Sequence, residues 1–289
     1  MRNIKDVAKK LKEVDSVQSL LNFLEVKGNN HENYHHYTNI DSLIHIISSG
    51  YFHLTKGNSI SINDQHEVKM KGSYEMWQKT YIGSFAFGES ENMAMWGLYG
   101  LPWEDAVRIT IPRKIMKEWI SQTNEIFGVN QVHSGYERVE LAVEANIKLS
   151  DIVYINGKKN SNSSKLSWSN ESINIDNNSV FSRIDTRSEM TGFIKNEAWK
   201  YENEVRIHIQ TKEPVEYEKI AIKVPDEVIS SMVITKGPYF CGDLMERVEN
   251  RYQQMLYSSQ INDSGFKDLV RYRTLCSLCQ YSYLKKRIY

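Results

Sequence analysis

Between Ile4 and Leu24 the apolar residues Ile4, Val7, Ala8, Leu11, Val14, Val17, Leu20, Leu21 and Leu24 recur at spacings of three and four. That period predicts an amphipathic helix within residues 1–27, stopped by Lys27-Gly28-Asn29-Asn30. The pattern then changes. Tyr34 to Thr38 reads as a strand leading into a helix over Asp41 to Ser49, with Asn39 or Asp41 as its cap and Gly50 just past its end. Tyr51 to Thr55 and Tyr81 to Phe87 read as strands, and Glu91 to Tyr99 as a short helix ending at Gly100. Val107 to Ile111 is a strand closed by Pro112, with a helix from Arg113 to about Thr123 behind it. Further strands are expected over Glu140 to Ile147, Asp151 to Ile155, Glu204 to Ile209, Ala221 to Val224 and Met232 to Thr235, and helices over Asp243 to Tyr257 and Phe266 to Leu284. Helices and short strands alternate without regular βαβ units, which predicts an α+β fold.

Composition adjusts this picture at three places. Asn156 to Val180 holds seven Asn and seven Ser, too polar to bury a core, so it reads as an insertion within a central region spanning 31–240. The chain carries 36 Lys and Arg against 36 Asp and Glu, and a net charge of zero argues against non-specific coating of DNA. Gly265 to Tyr289, within a C-terminal segment 241–289, nevertheless holds six basic residues, one acid and five aromatics, a composition suited to phosphate contacts and base stacking. A solvated amphipathic helix has the same composition. The N-terminus lacks the apolar run of a signal peptide, no apolar stretch is long enough for a membrane span, and three cysteines fit a reducing compartment. A cytoplasmic protein with no membrane contact is expected.

Six of the eight histidines fall between His31 and His66. His31-Glu32-Asn33-Tyr34-His35 matches the zinc-protease pattern His-Glu-x-x-His, but that chemistry needs the motif on a helix, and this one follows Gly28-Asn29-Asn30 and runs into β-favouring residues. Cys276-x-x-Cys279 has no second pair to complete a tetrahedral site. No metal is expected.

Four pieces form a more specific constellation. Tyr34-His35-His36-Tyr37-Thr38, followed by Ile44, Ile47 and Gly50-Tyr51, resembles the first motif of the ADP-ribosyltransferase superfamily in its His-Tyr-Glu branch. Asn63-Asp64-x-x-Glu67 is the second piece, and Ser84-Phe85-Ala86-Phe87 with Met95-Trp96-Gly97-Leu98-Tyr99 the third. The fourth is Trp199-Lys200-Tyr201-Glu202-Asn203-Glu204-Val205-Arg206. Together they resemble a large bacterial family known only as a domain of unknown function.

The resemblance implies an ADP-ribosyltransferase-like split β-sheet core with flanking helices, and NAD as co-substrate. It assigns His36 to the adenosine-side ribose and Thr38 to bracing the strand, and places Tyr37, Asn63, Ser84 and Phe85 in the NAD site. Tyr99, or an aromatic of the Phe85 to Phe87 strand, would stack on nicotinamide. Glu204 would stabilise the oxocarbenium-like species formed as nicotinamide leaves, because a carboxylate beside the ribose hydroxyls opposes the developing positive charge. Glu202, two residues away and so expected on the same side of a strand, would orient or deprotonate the acceptor. The implied protein is a mono-ADP-ribosyltransferase, of the kind found as a bacterial toxin or phage-defence effector, with a possible antitoxin partner. Single-stranded RNA or DNA, gripped by 265–289, is favoured over protein as acceptor. NAD glycohydrolysis and a non-catalytic RNA-binding or scaffold role are the alternatives.

Overall fold

The computed structural model describes residues 31–59, 74–88, 90–132, 135–155, 191–257 and 280–281. The helix expected within 1–27, the Asn63 motif, the insertion at 156–180, the Cys276–Cys279 pair and most of 265–289 lie outside them. In chain order the strands are β1 (Asn33–Asn39), β2 (Tyr51–Lys56), β3 (Thr80–Phe87), β4 (Ala106–Pro112), β5 (Phe127–Val132), β6 (Gly135–Glu140), β7 (Ala145–Asp151), β8 (Val153–Ile155), β9 (Ile194–Asn196), β10 (Glu204–Thr211), β11 (Lys219–Lys223), β12 (Val233–Lys236) and β13 (Gln280–Tyr281). The helices are α1 (Ile40–Ser49), α2 (Tyr74–Gln78), α3 (Met93–Tyr99), α4 (Arg113–Gln122), α5 (Asp226–Ser231) and α6 (Leu244–Tyr257). The fold is α+β with largely antiparallel strands, as expected.

The chain divides into two compact units that do not follow sequence order. Among the described residues, the first takes in those within Thr55–Ser84 and Val143–Glu218; the second takes in those within His31–Leu54, Phe85–Ala142 and Lys219–Tyr289. The cuts pass through β2 and β3, so Ser84 closes one unit and Phe85 opens the other.

In the second unit β4 pairs antiparallel with β1, from Asn33 opposite Pro112 to Asn39 opposite Ala106, and with β12. The Asn39 side chain caps α1 by accepting from the Ser42 amide at 3.0 Å. Leu43, Ile44, Ile46 and Ile47 are buried by α1, and Gly50, at φ +69°, returns its N–H to the Ile46 carbonyl. Trp119 of α4 is buried, and its indole N–H donates to the Lys223 carbonyl at 2.8 Å. On α6, Arg251 makes two bonds to the Asp41 carboxylate, at 2.6 and 2.7 Å, and Arg247 pairs with Asp105.

Two expectations need correction here. Gln280–Tyr281 form a strand parallel to β12, where the 266–284 pattern predicted helix. The strand expected over Glu140 to Ile147 is interrupted, because β6 ends at Glu140 and β7 begins at Ala145. The alternation of Leu141, Val143, Ala145 and Ile147 runs straight through the break. What alternation does not register is the β5–β6 hairpin, which Leu141 closes by donating to the Ile126 carbonyl at 2.9 Å.

In the first unit β7 and β10 pair antiparallel from Val205 opposite Asp151 to Thr211 opposite Ala145, and β10 also pairs with β3. The stretch read as one strand over Asp151 to Ile155 is the end of β7 and the start of β8, with buried Ile152 between them donating to the Glu204 carbonyl at 3.3 Å. β8 pairs parallel with β9, Val153 opposite Ile194. Trp77, Tyr81, Leu149, Val205, Ile207 and Ile209 are buried. Gly57 is required at its position, since a Cβ there would stand 1.9 Å from the Trp77 ring.

Candidate functional site

The Glu202-x-Glu204 pair lies in the first unit at the junction of a 3-10 turn and a strand. Asn196 begins the turn, Glu197–Glu202, by accepting from the Ala198 amide at 2.9 Å. Asn203 ends it in the left-handed region, φ 46° and ψ 52°, a conformation that asparagine tolerates better than most residues. β10 starts at Glu204. Glu202 is therefore not a strand residue, and the expected same-side strand geometry is corrected. The left-handed residue redirects the chain, and the two carboxylates meet instead through a shared cation.

That cation is Lys195, on β9. Its Nζ donates to Glu202 Oε2 at 2.5 Å and to Glu204 Oε2 at 3.2 Å, and stands 4.9 Å from the centroid of the Trp199 ring. Arg206, two residues along β10, grips Glu204 with both arms of its fork: Nε donates to Oε1 at 2.7 Å and Nη2 to Oε2 at 3.0 Å. Its Nη1 donates to the Gly192 carbonyl at 2.8 Å. Ser84 of β3 donates its hydroxyl to Glu204 Oε1 at 2.6 Å, and the Glu204 amide donates to the Tyr154 hydroxyl at 2.9 Å. Lys195, Glu202, Glu204 and Arg206 are each at most 4% exposed, whereas Ser84 is exposed. Two buried anions thus face two buried cations.

Burial alone would raise the Glu204 carboxyl. The charges of Arg206 and Lys195, with hydrogen bonds from Arg206 and Ser84, overcome it and hold the group down at about 2. Glu204 is a carboxylate at any working pH, and its four lone-pair positions are all taken. Tyr154 is pushed the other way, above its ordinary 10.0, by burial and then by the negative charge of Glu204. Next to the quartet, buried His208 stacks on Phe193 with centroids 4.2 Å apart and donates from Nε2 to the Thr191 carbonyl at 3.0 Å. Burial holds His208 at about 4, so the ring is neutral.

The remaining expected site residues lie in the second unit. The His36 ring sits 5.3 Å from Phe85 and 5.2 Å from Phe52. Phe85 and Thr38 are buried. Buried Tyr37 meets Trp96 edge to face at 4.9 Å, in a cluster with Ala86, Met95 and Ala106, and half-buried Tyr99 packs against that cluster. Met95 and Trp96, read from sequence as motif residues, are core. The structure joins Ser84, Glu202 and Glu204 in one network and joins His36 with Phe85, while Asn63 lies outside the described residues. Sequence reasoning missed Lys195 and Tyr154, and it quoted Arg206 within a motif without giving it a role. His35, half of the zinc-like pattern, sits on a strand, with Nδ1 2.9 Å from Thr110 Oγ1 and Nε2 donating to the Gly88 carbonyl at 2.8 Å. Among the described residues no cluster of three or more His, Cys, Asp or Glu is placed to hold a metal, and no helix is long and apolar enough to cross a membrane.

Comparison with known proteins gives a match over residues 95–207 to the family described as "Protein of unknown function (DUF2971)". The matched stretch takes in the Met95-Trp96 motif, the Glu202-x-Glu204 pair and Arg206, and leaves out Ser84 and the His36 strand. No curated protein and no solved structure matches the chain.

Proposed function

We propose that the protein is an NAD-dependent mono-ADP-ribosyltransferase whose reacting carboxylate is Glu204. The observation that carries this reading is the 2.6 Å hydrogen bond from Ser84 to Glu204. These residues come from the third and fourth of the four motifs read from the sequence, they stand 120 positions apart in the chain, and the fold brings their side chains together. The carboxylate is ionised, as stabilisation of an oxocarbenium-like centre requires.

Of the four donors on Glu204, Ser84 alone is neutral and exposed. A ribose hydroxyl therefore engages Oε1 by taking the place of the Ser84 hydroxyl, leaving Arg206 and Lys195 to fix the carboxylate. The bond between nicotinamide and the ribose C1′ breaks with its electron pair leaving on nicotinamide. A nucleophile on the acceptor then forms the new bond to C1′ and gives up its proton. Glu202, paired with Lys195, is the carboxylate assigned to that proton. His36, Tyr37, Thr38, Asn63, Phe85 and Tyr99 keep the NAD-binding roles that the resemblance implies. A nucleic acid is the favoured acceptor.

The test is transfer of label from adenylate-labelled NAD into a cell extract. Transfer by the parent protein, lost in Glu204→Gln and in the charge-balanced pair Lys195→Met/Glu204→Gln while both remain folded, supports the reading. Release of free ADP-ribose without extract would identify water as the acceptor. No consumption of NAD by the parent overturns the proposal.

A further inference from the structure

In the second unit, rings and cations from four strands and a helix converge. On β2, Tyr51 and His53 alternate with buried Phe52 and so share the opposite side of the strand. On β6, Tyr136 and Arg138 share one side. The Arg138 guanidinium lies 4.7 Å from the Tyr51 ring centroid and donates from Nη2 to His53 Nε2 at 3.3 Å. Tyr136 packs edge to face with His53 at 4.9 Å and with His45 of α1 at 5.3 Å, and Lys219 Nζ of β11 stands 5.9 Å from its centroid. Phe127 of β5 meets Tyr51 at 5.1 Å.

Among the described residues neither Arg138 nor Lys219 has a carboxylate within ion-pair distance, and Arg138 Nε is buried without a hydrogen-bond partner. Asp41, which draws His45 upward, is itself held by both arms of Arg251, and Glu140, on Arg138's side of β6, is exposed. The uncompensated charge registers on the histidines: burial first, then Arg138 and Lys219, lower His53 to about 3 and also lower His45. A buried guanidinium nitrogen with no acceptor has a strong demand for an anionic oxygen.

We propose that this face binds single-stranded nucleic acid, with Arg138 and Lys219 taking a phosphate and the Tyr51 and Tyr136 rings carrying the neighbouring base. Cations interleaved with aromatic rings are the combination that unpaired strands require, since phosphate supplies the charge and every base has a stacking face. The proposal names the acceptor class of the transferase reading and rests on it for its role in catalysis. The binding itself is measured without NAD, so the two can fail separately.

The probe is a fluorescently labelled single-stranded RNA of about a dozen nucleotides, read by anisotropy at low salt. The parent protein is expected to bind with an affinity that falls steeply as salt rises, and Arg138→Gln/Lys219→Gln to weaken binding about tenfold and flatten the salt slope by about 1 to 2. Lys114→Gln/Lys223→Gln removes the same charge from exposed positions of the same unit and should change affinity by less than about twofold. Lys219→Glu, at an exposed position, decides the matter if the Arg138 variant fails to fold. Equal losses in both double variants, no binding by the parent, or equally tight binding of a single nucleotide or an acidic peptide each overturn the proposal. Intact RNA binding in a protein that does not consume NAD would sink only the transferase reading.

Discussion

Glu204→Gln removes one of two anions from a buried quartet that is neutral as a set. It leaves Lys195, Arg206 and Glu202 with a net charge of +1, each side chain at most 5% exposed. Breaking a buried pair from one side costs about 3–5 kcal/mol, because the remaining charge is neither solvated nor paired. The single variant should lose that much stability by urea unfolding. Lys195→Met/Glu204→Gln removes one charge of each sign and should recover at least about 1.5 kcal/mol relative to the two single losses added together, the signature of coupled neighbours. The same site fixes a pH window. Glu204 sits at about 2 in the folded chain against an ordinary 4.5, so its stabilising effect is complete above about pH 4.5 and disappears as pH falls toward 2. At about 1.4 kcal/mol per pH unit the loss is about 3 kcal/mol, and Glu204→Gln should abolish it. A single variant within about 1 kcal/mol of the parent, or a double variant no better than the sum, would refute the ion network as described.

His36→Ala and Tyr99→Ala should each weaken NAD binding in a calorimetric titration, and unchanged affinity in both would remove the residues assigned to the cofactor from the proposed reaction. Gly192→Ala combines a φ of +84° with a Cβ placed 2.9 Å from the His208 ring, and should lower stability by more than about 2 kcal/mol in a thermal melt. Its survival at parental stability would contradict the packing of Phe193 and His208. Burial holds His35 and His208 at about 4, below the ordinary 6.5, so the unfolded chain takes up protons that the folded one refuses. Their contribution is complete above about pH 6.5 and falls with pH, and the unfolding free energy should drop by about 2 kcal/mol for each ring between about pH 7 and about pH 5; a flat profile over that range would show that the rings are not buried in neutral form.

What the sequence disclosed and what it withheld follow from the range of the forces involved. β1, α1 and α3 were legible because their signals are local: Asn39 caps α1 through its own side chain, Gly50 occupies a left-handed position suited to it, and Gly100 follows the last turn of α3. The hairpin of β5 and β6 was missed because exposed Asn130, Gln131, Glu137 and Val139 give it no clean apolar alternation. Glu202 and Glu204 were found, but not how they meet, since the left-handed turn at Asn203 overrides strand spacing and nothing in the motif announces it. Lys195 could not be read as their partner at all. Seven and nine residues upstream of the glutamates, it joins them only because β9 is laid beside β8, a pairing across the polar insertion.

The mutual dependence of Lys195, Glu202, Glu204 and Arg206 shapes how this protein can change and how screens of it should be interpreted. Each member, altered singly, strands an opposite charge, so a saturation library scored by survival will mark all four as intolerant whether or not any of them touches a substrate. A lineage can leave the arrangement only through a paired step, one cation and one anion exchanged together, with the first change tolerated only while spare stability exists. Intolerance at these positions therefore reports membership in a charge-closed set. Only variants that keep the set closed can reveal which member has a second occupation.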